Sequence, residues 1–132
     1  MKIIFTEKAP NPGGHYSQAV VHNGLIYISG QLPFDPDTGE KVVESIEAQT
    51  ECVLRNLTAI LEAAGSRLEK VLKTTVYVSD IALWDRVNEV YSSFFGNHKP
   101  ARAVVPTKDL HHGFLIELEA IAAVVDEEIA NE

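Results

Sequence analysis

Apolar residues in the first third of the chain recur in short runs that are separated by turn residues. Two such runs, Ser17 to Val21 and Leu25 to Ser29, flank the tripeptide His22-Asn23-Gly24. Asn-Gly is the preferred pair of a type I′ turn, because both central residues adopt positive φ. The pattern therefore predicts a β-hairpin, preceded by an edge strand at Ile3 to Phe5. The segment Leu32 to Gly39, which contains two prolines, predicts a loop.

Two later segments carry apolar residues at helical spacing. The first starts after Ser45, a suitable N-cap, and stops at Gly65. The second starts after Asp80, a further N-cap candidate, and stops at Gly96. Each segment predicts an amphipathic helix with one stripe facing the core. The stripes are Ile46, Val53, Leu57, Ile60, Leu61 and Ala64 in the first helix, and Leu83, Trp84, Val87, Tyr91, Phe94 and Phe95 in the second.

The period of two that marks strands returns after each helix. Val71 to Ser79 predicts a strand with Leu72, Thr74, Val76 and Val78 on its buried side, and Lys73, Thr75 and Tyr77 on the other. The run Phe114 to Val125 predicts a strand whose core face is aliphatic and whose opposite face carries two carboxylates, Glu117 and Glu119. The core face is Phe114, Ile116, Leu118, Ala120, Ala122 and Val124, and the opposite face adds Leu115, Ile121, Ala123 and Val125.

The order of these elements is β-β-β-α-β-α-β-β, which predicts an α+β fold with two helices on one face of a sheet, built as a single domain over residues 1–132. The other face would carry Tyr27, Tyr77 and the row of Glu117. That mixture is too apolar to be left to water, so we expect subunits to pack there.

Arg102 is the one charge in the apolar run Ala101 to Val105, which predicts the remaining strand. Burying a guanidinium without a partner is costly, whereas its planar fork of donors matches a carboxylate. Arg102 is therefore a candidate receptor for an anion. The alternative is a structural ion pair with Glu117 or Glu119 at a subunit contact.

Composition and charge narrow the classes of function. A net charge of −8, with the 11 lysines and arginines scattered, makes nucleic acid an unlikely partner. The start of the chain lacks the apolar region of a signal peptide and no stretch is long enough to span a bilayer, so a soluble cytoplasmic protein is expected. The acidic segment 126–132 is expected to be a solvated end.

Three residues with reactive side chains have simple interpretations. Cys52 is the only cysteine, which excludes an internal disulfide and predicts a small core residue on the first helix. His111 and His112 are adjacent but should point in different directions in an extended chain, and no third ligand is spaced to join them, so no metal site is expected.

Several motifs, taken in order, resemble the reactive intermediate deaminase (Rid, YjgF-like) family, formerly described as endoribonuclease L-PSP or translation initiation inhibitors. The resemblance covers nearly the whole chain. The motifs are His15-Tyr16-Ser17-Gln18, Ile28-Ser29-Gly30-Gln31, Lys73-Thr74-Thr75-Val76-Tyr77-Val78, Val87-Asn88-Glu89-Val90-Tyr91, Pro100-Ala101-Arg102 and Ile116-Glu117-Leu118-Glu119-Ala120-Ile121-Ala122.

The resemblance implies a chorismate-mutase-like fold with a six-stranded mixed sheet, a homotrimer, and clefts between subunits. It implies hydrolysis of reactive 2-imino or enamine acids, such as 2-aminoacrylate, to 2-keto acids and ammonia without a cofactor or metal. The family's carboxylate-binding arginine falls on Arg102 and its water-positioning glutamate on Glu117. The substrate-binding positions fall on Tyr16, Ser29, Gly30, Asn88 and Val104.

The sequence departs from the family pattern at three places, of which the last two touch the rim of the implied cleft. Val104 stands where many deaminases carry Cys or Thr, His15 replaces a common Pro, and Leu110-His111-His112-Gly113 replaces a turn with Leu-Pro. These departures bear on the range of substrates. Two other functions stay open: a non-catalytic trimeric sensor of small carboxylates such as keto acids, and, third, an endoribonuclease or translation inhibitor.

Overall fold

The computed structural model describes residues 1–125, so the predicted acidic end at 126–132 lies outside the described residues. Six strands and two α-helices alternate in the predicted order. The strands are β1 (Lys2–Ile4), β2 (Ala19–His22), β3 (Leu25–Gln31), β4 (Val71–Val78), β5 (Ala101–Pro106) and β6 (Ile116–Ala123). The helices are α1 (Ile46–Ala63) and α2 (Trp84–Phe95).

The strands form one mixed sheet in the order β1-β2-β3-β6-β4-β5. All pairs are antiparallel except β4 and β5, which run parallel with α2 as the crossover between them. The predicted hairpin turn is confirmed, since Asn23 and Gly24 have φ values of 51° and 77°. The predicted edge strand is also confirmed, because β1 ends the sheet at one side and β5 ends it at the other.

Both helices cover the same face of the sheet, as predicted. The apolar stripe of α1 is fully buried, and the core side of β6 is buried from Phe114 to Ala122. Ser45 caps α1 through its side chain, which accepts a hydrogen bond from the Ala48 amide at 3.0 Å. Asp80 caps a single 3₁₀ turn, Ile81–Leu83, that leads directly into α2. The sequence therefore placed the start of the second helical segment correctly but not the start of its α-helical part.

Two predicted core residues are exposed. Leu72 is 49% exposed because the pairing of β4 with β6 shifts by one residue between Val71 and Lys73, which turns Leu72 outward and leaves Val71 as the buried residue. Trp84 is 37% exposed because it lies at the first turn of α2, where its ring lies beside Arg102 of the edge strand β5. The other side chains of the α2 stripe are buried or pack against the core.

The helix cap at Ser45 provides a measurable test of the fold. Ser45→Ala leaves the Ala48 amide without its side-chain acceptor, so we expect the free energy of unfolding to fall by about 0.5–2 kcal/mol. Chemical denaturation would measure the change. Ser92→Ala, an exposed serine within α2, is the control and should not lower stability. Equal losses in the two variants would contradict a specific role for the cap.

Candidate functional site

The face of the sheet opposite the helices carries the two glutamates of β6. Glu117 is level with Tyr77 of β4, and Glu119 is level with Thr75, so these four side chains share the open face. The Tyr77 hydroxyl donates a hydrogen bond to Glu119 Oε1 at 2.5 Å. Tyr27 of β3 lies on the same face and is 47% exposed. Glu119 is therefore held by a tyrosine of its own chain, whereas Glu117 is directed toward β3.

Glu117 lies directly over Gly30, where the pairing of β3 with β6 is irregular. A Cβ atom at position 30 would collide with the Glu117 carboxylate, so only glycine leaves room for this contact. Burial raises the pKa of Glu117, the charge of Glu119 raises it further, and His111 opposes the rise. Glu117 is thus a carboxylate that binds a proton more readily than an exposed glutamate does, as a proton-transfer group requires.

Arg102 lies on the helix-covered face at the outer edge of the sheet. It is level with Thr74, whose side chain is buried under α2. Its guanidinium donates to Asn88 Oδ1 at 2.9 Å and lies 4.7 Å from the ring centre of Tyr91 and 5.4 Å from that of Trp84. The Arg102 side chain is only partly buried. Residues of α2 therefore hold a guanidinium that still reaches the surface.

Arg102 and Glu117 lie on opposite faces of the sheet within one chain. Side chains of directly paired residues point to the same side, and Arg102 is level with Thr74 and Ala120, both buried under the helices. Glu117 is separated from Ala120 by an odd number of positions along β6, so its side chain points to the opposite face of the sheet. A structural ion pair between these two residues of the same chain is therefore excluded, and a site that uses both needs two copies of the chain.

The remaining predicted site residues divide between these two places. Tyr16 and Gly30 line a cleft of about 830 Å³, which adjoins Glu117 at Gly30. Ser29 lies next to Gly30, and its hydroxyl donates to the Ser17 carbonyl at 2.6 Å. Asn88 lies beside Arg102, and Val104 is two residues further along β5, where it packs against the core. The structure therefore brings the seven predicted residues into two groups.

The sequence analysis placed His111 and His112 on the rim of the implied cleft but did not predict how their rings are arranged. Their rings stack with centres 3.8 Å apart, contrary to the expectation that they point apart. The reason is that His112 adopts a left-handed conformation with φ of 62° within a tight turn, rather than an extended one. Both rings line the cleft. Within residues 1–125, no three His, Cys, Asp or Glu side chains converge as metal ligands would.

Cys52 is half-buried on α1 and contacts the loop that contains Phe34, a residue of the cleft lining. Its thiol donates to the Phe34 carbonyl at 3.3 Å, and burial raises the pKa of the thiol to about 11. Cys52 is thus a protonated thiol at neutral pH, as a structural residue would be. None of the helices in the described part of the chain is long and apolar enough to cross a membrane.

The protein is thus a small α+β domain whose open sheet face carries the carboxylates of Glu117 and Glu119. The family model described as Endoribonuclease L-PSP matches residues 6–124. A RutC family protein of Pyrococcus abyssi is 50% identical over 92% of this chain and 95% of its own length. The rat 2-iminobutanoate/2-iminopropanoate deaminase is 44% identical over 92% of this chain and 88% of its own length.

Solved structures of related proteins have the same fold as this chain. RidA from an Antarctic Psychrobacter is 42% identical, covers 94% of this chain and 100% of its own, and superimposes with a TM-score of 0.90. Escherichia coli TdcF with bound serine is 36% identical, covers 93% of this chain and 98% of its own, and superimposes with a TM-score of 0.89. The chain therefore belongs to the endoribonuclease L-PSP family, the reactive intermediate deaminase family that its motifs resemble.

Proposed function

We propose that the protein is a hydrolytic deaminase that converts reactive 2-imino and enamine acids to 2-keto acids and ammonia. The observation that carries the proposal is the Glu117 carboxylate, held over Gly30 at a cleft with its pKa raised by burial. Imine hydrolysis needs one group that orients water and accepts its proton. The names of the rat and Arabidopsis relatives, a 2-iminobutanoate/2-iminopropanoate deaminase and a reactive intermediate deaminase, support the same chemistry.

The proposed enzyme is a homotrimer with its active sites between neighbouring subunits. Because Arg102 and Glu117 lie on opposite faces of one sheet, Glu117 of one subunit would work with Arg102 of the next. Two features support this arrangement. In the described chain β5 is an edge strand with Ala101, Ala103 and Val105 exposed, and the open face carries the exposed Tyr27. A neighbouring subunit would cover both.

The proposed mechanism begins with the substrate carboxylate on Arg102, which fixes the imine carbon near a water held by Glu117. The water oxygen adds to the imine carbon, and Glu117 takes the proton that the water loses. The proton then passes to the nitrogen of the carbinolamine. The carbon–nitrogen bond breaks, ammonia leaves with the electron pair of that bond, and loss of the hydroxyl proton gives the keto acid. A protonated imine is already electrophilic, so positioning and one acid/base group suffice.

The other predicted residues have places in this scheme. Asn88 accepts a hydrogen bond from Arg102 and so orients the guanidinium. Tyr16, Ser29 and Gly30 would form the wall opposite the imine, and the backbone at Val104 would contact the substrate or water. Serine bound to TdcF is a small molecule with a carboxylate, which is the type of ligand that Arg102 would hold.

The activity of this enzyme should depend on the ionisation of Glu117. A carboxyl whose pKa is raised in the folded protein is protonated over a wider range of acidic pH, so kcat/KM should rise with pH through a pKa above the ordinary value of 4.5. The charge of Glu119 contributes to that rise. Glu119→Gln should therefore shift the acidic limb of the profile to lower pH while activity at neutral pH is kept. A pH–rate profile of the two proteins would measure the shift, and a shift to higher pH would contradict it.

Turnover tests the proposed function directly. A threonine or serine dehydratase supplies the imine, and release of keto acid and ammonia is followed with and without the protein. Acceleration over the protein-free reaction supports the deaminase. Keto acid binding without acceleration would instead identify a sensor of small carboxylates. Salt-sensitive RNA cleavage that survives Arg102→Ala, with no imine activity, would identify a ribonuclease.

A further inference from the structure

The cleft that Gly30 lines has an aromatic wall, formed by Tyr16, Phe34, His111 and His112. Three of these rings, those of Phe34, His111 and His112, support one another. His111 stacks on His112 at 3.8 Å, and His112 meets the Phe34 ring edge-on at 5.3 Å. Phe34 in turn contacts the buried Phe114 edge-on at 5.1 Å. The wall is thus anchored in the core and presents π surfaces to whatever enters the cleft.

The charges around the aromatic wall disfavour an acidic side chain. Glu7 and Asp35 line the same cleft and would repel a second carboxylate. Burial lowers the pKa of His112, and the charges of His111 and Lys41 lower it further. At neutral pH the His112 ring is therefore largely an uncharged aromatic surface rather than a receptor for anions. An uncharged, flat group matches this environment best.

The size of the cleft also favours a substrate with a large side chain. Its volume of about 830 Å³ lies near the upper end of the roughly 300–1,000 Å³ of pockets that bury drug-sized ligands. A three-carbon imino acid would fill only a small part of the cleft of a single subunit. The Glu117 carboxylate lies over Gly30, and Gly30 lines this cleft together with His111 and His112. A substrate whose imine carbon lies at Glu117 would therefore reach the aromatic wall with its side chain.

We propose that the aromatic wall makes the enzyme selective for 2-imino acids that carry an aromatic side chain. This inference rests on the proposed deaminase function and adds its substrate class. His111 and His112 are the specificity residues, since they form the exposed end of the wall. One favourable aromatic contact increases kcat/KM by about 3- to 10-fold over an aliphatic side chain of similar size.

The test compares two imines that are generated in place by an amino acid oxidase, one from phenylalanine and one from leucine. Semicarbazide traps the imine that remains, so slower trapping reports hydrolysis. The wild-type protein should favour the phenylalanine imine by about 3- to 10-fold. His111→Leu should remove that preference, measured as the ratio of the two hydrolysis rates in the same protein. His112→Asn is the second variant, because asparagine tolerates the left-handed backbone at this position.

His22→Leu is the matched control, since His22 is an exposed residue next to the hairpin turn and does not line the cleft. Equal hydrolysis of both imines by wild type, or an unchanged preference in both wall variants, would overturn the selectivity and leave the deaminase intact. If neither imine is hydrolysed, the deaminase proposal fails. Calorimetry of keto acid binding would then test the selectivity of the aromatic wall on its own. Tighter binding of phenylpyruvate than of 4-methyl-2-oxopentanoate would support it, and equal binding would overturn it.

Discussion

Glu117→Gln is expected to lower kcat for imine hydrolysis about 10²- to 10⁴-fold, the usual contribution of a positioned acid/base group. The amide keeps the size of the side chain and its place over Gly30, but it can neither accept the proton of water nor return it to nitrogen. KM should change little because the carboxylate of the substrate is held elsewhere. Steady-state kinetics with a dehydratase-supplied imine would separate the two constants.

Glu119→Gln is the matched control for this variant, because Glu119 lies two residues away on the same face and is hydrogen-bonded by Tyr77. At neutral pH it should retain most of the activity. Equal losses in the two variants would show that the acidic face acts as a whole. A Glu117→Gln protein with normal kcat would remove the proposed base and with it the mechanism.

Arg102→Ala is expected to raise KM about 10- to 100-fold, because a charge-assisted hydrogen bond contributes about 1.5–3 kcal/mol. Arg102→Lys should recover only part of the loss, since lysine keeps the charge but lacks the planar fork. Arg55→Ala removes an exposed cation of α1 and serves as the control. Because Arg102 stacks on Tyr91, thermal unfolding of each variant is needed to separate loss of binding from loss of packing.

A mixture of the two variants tests whether neighbouring subunits share the active site, provided that it is assayed at substrate concentrations well below KM, where both variants are impaired. A subunit with Arg102→Ala still has Glu117, and a subunit with Glu117→Gln still has Arg102. In randomly mixed trimers about a quarter of the interfaces would join the intact Glu117 of one subunit to the intact Arg102 of the next. Refolding the variants together should therefore restore about a quarter of the wild-type kcat/KM. No recovery would contradict the shared site.

The sequence predicted the elements of this fold because each has a strong local signal. The alternation in β6 assigned its two faces correctly, and Asn23-Gly24 fixed the first hairpin. The same alternation failed at Leu72, because a shift in strand pairing depends on the neighbouring strand. The alternation could not show that Arg102 and Glu117 point to opposite faces. That depends on the register in which β5 pairs with β4, which neither strand's own sequence determines.

The cleft was less predictable than the sheet for a similar reason. The stacking of His111 on His112 depends on a left-handed backbone at His112, a conformation that histidine adopts more often than most residues but that no neighbouring residue requires. Trp84 looked like a core residue because it continues an apolar stripe. Its ring instead lies against a guanidinium, which a helical pattern cannot distinguish from packing against leucine.

That position of Trp84 gives the protein an optical signal of its own. It is the only tryptophan in the chain, and its ring centre lies 5.4 Å from the Arg102 Cζ atom. An acid that docks on Arg102 should alter the indole emission, whereas the Arg102→Ala protein should show no such response. Titration of a stable keto acid would thus give a Kd without any reaction taking place, and occupancy and catalysis could be followed separately in the same cuvette.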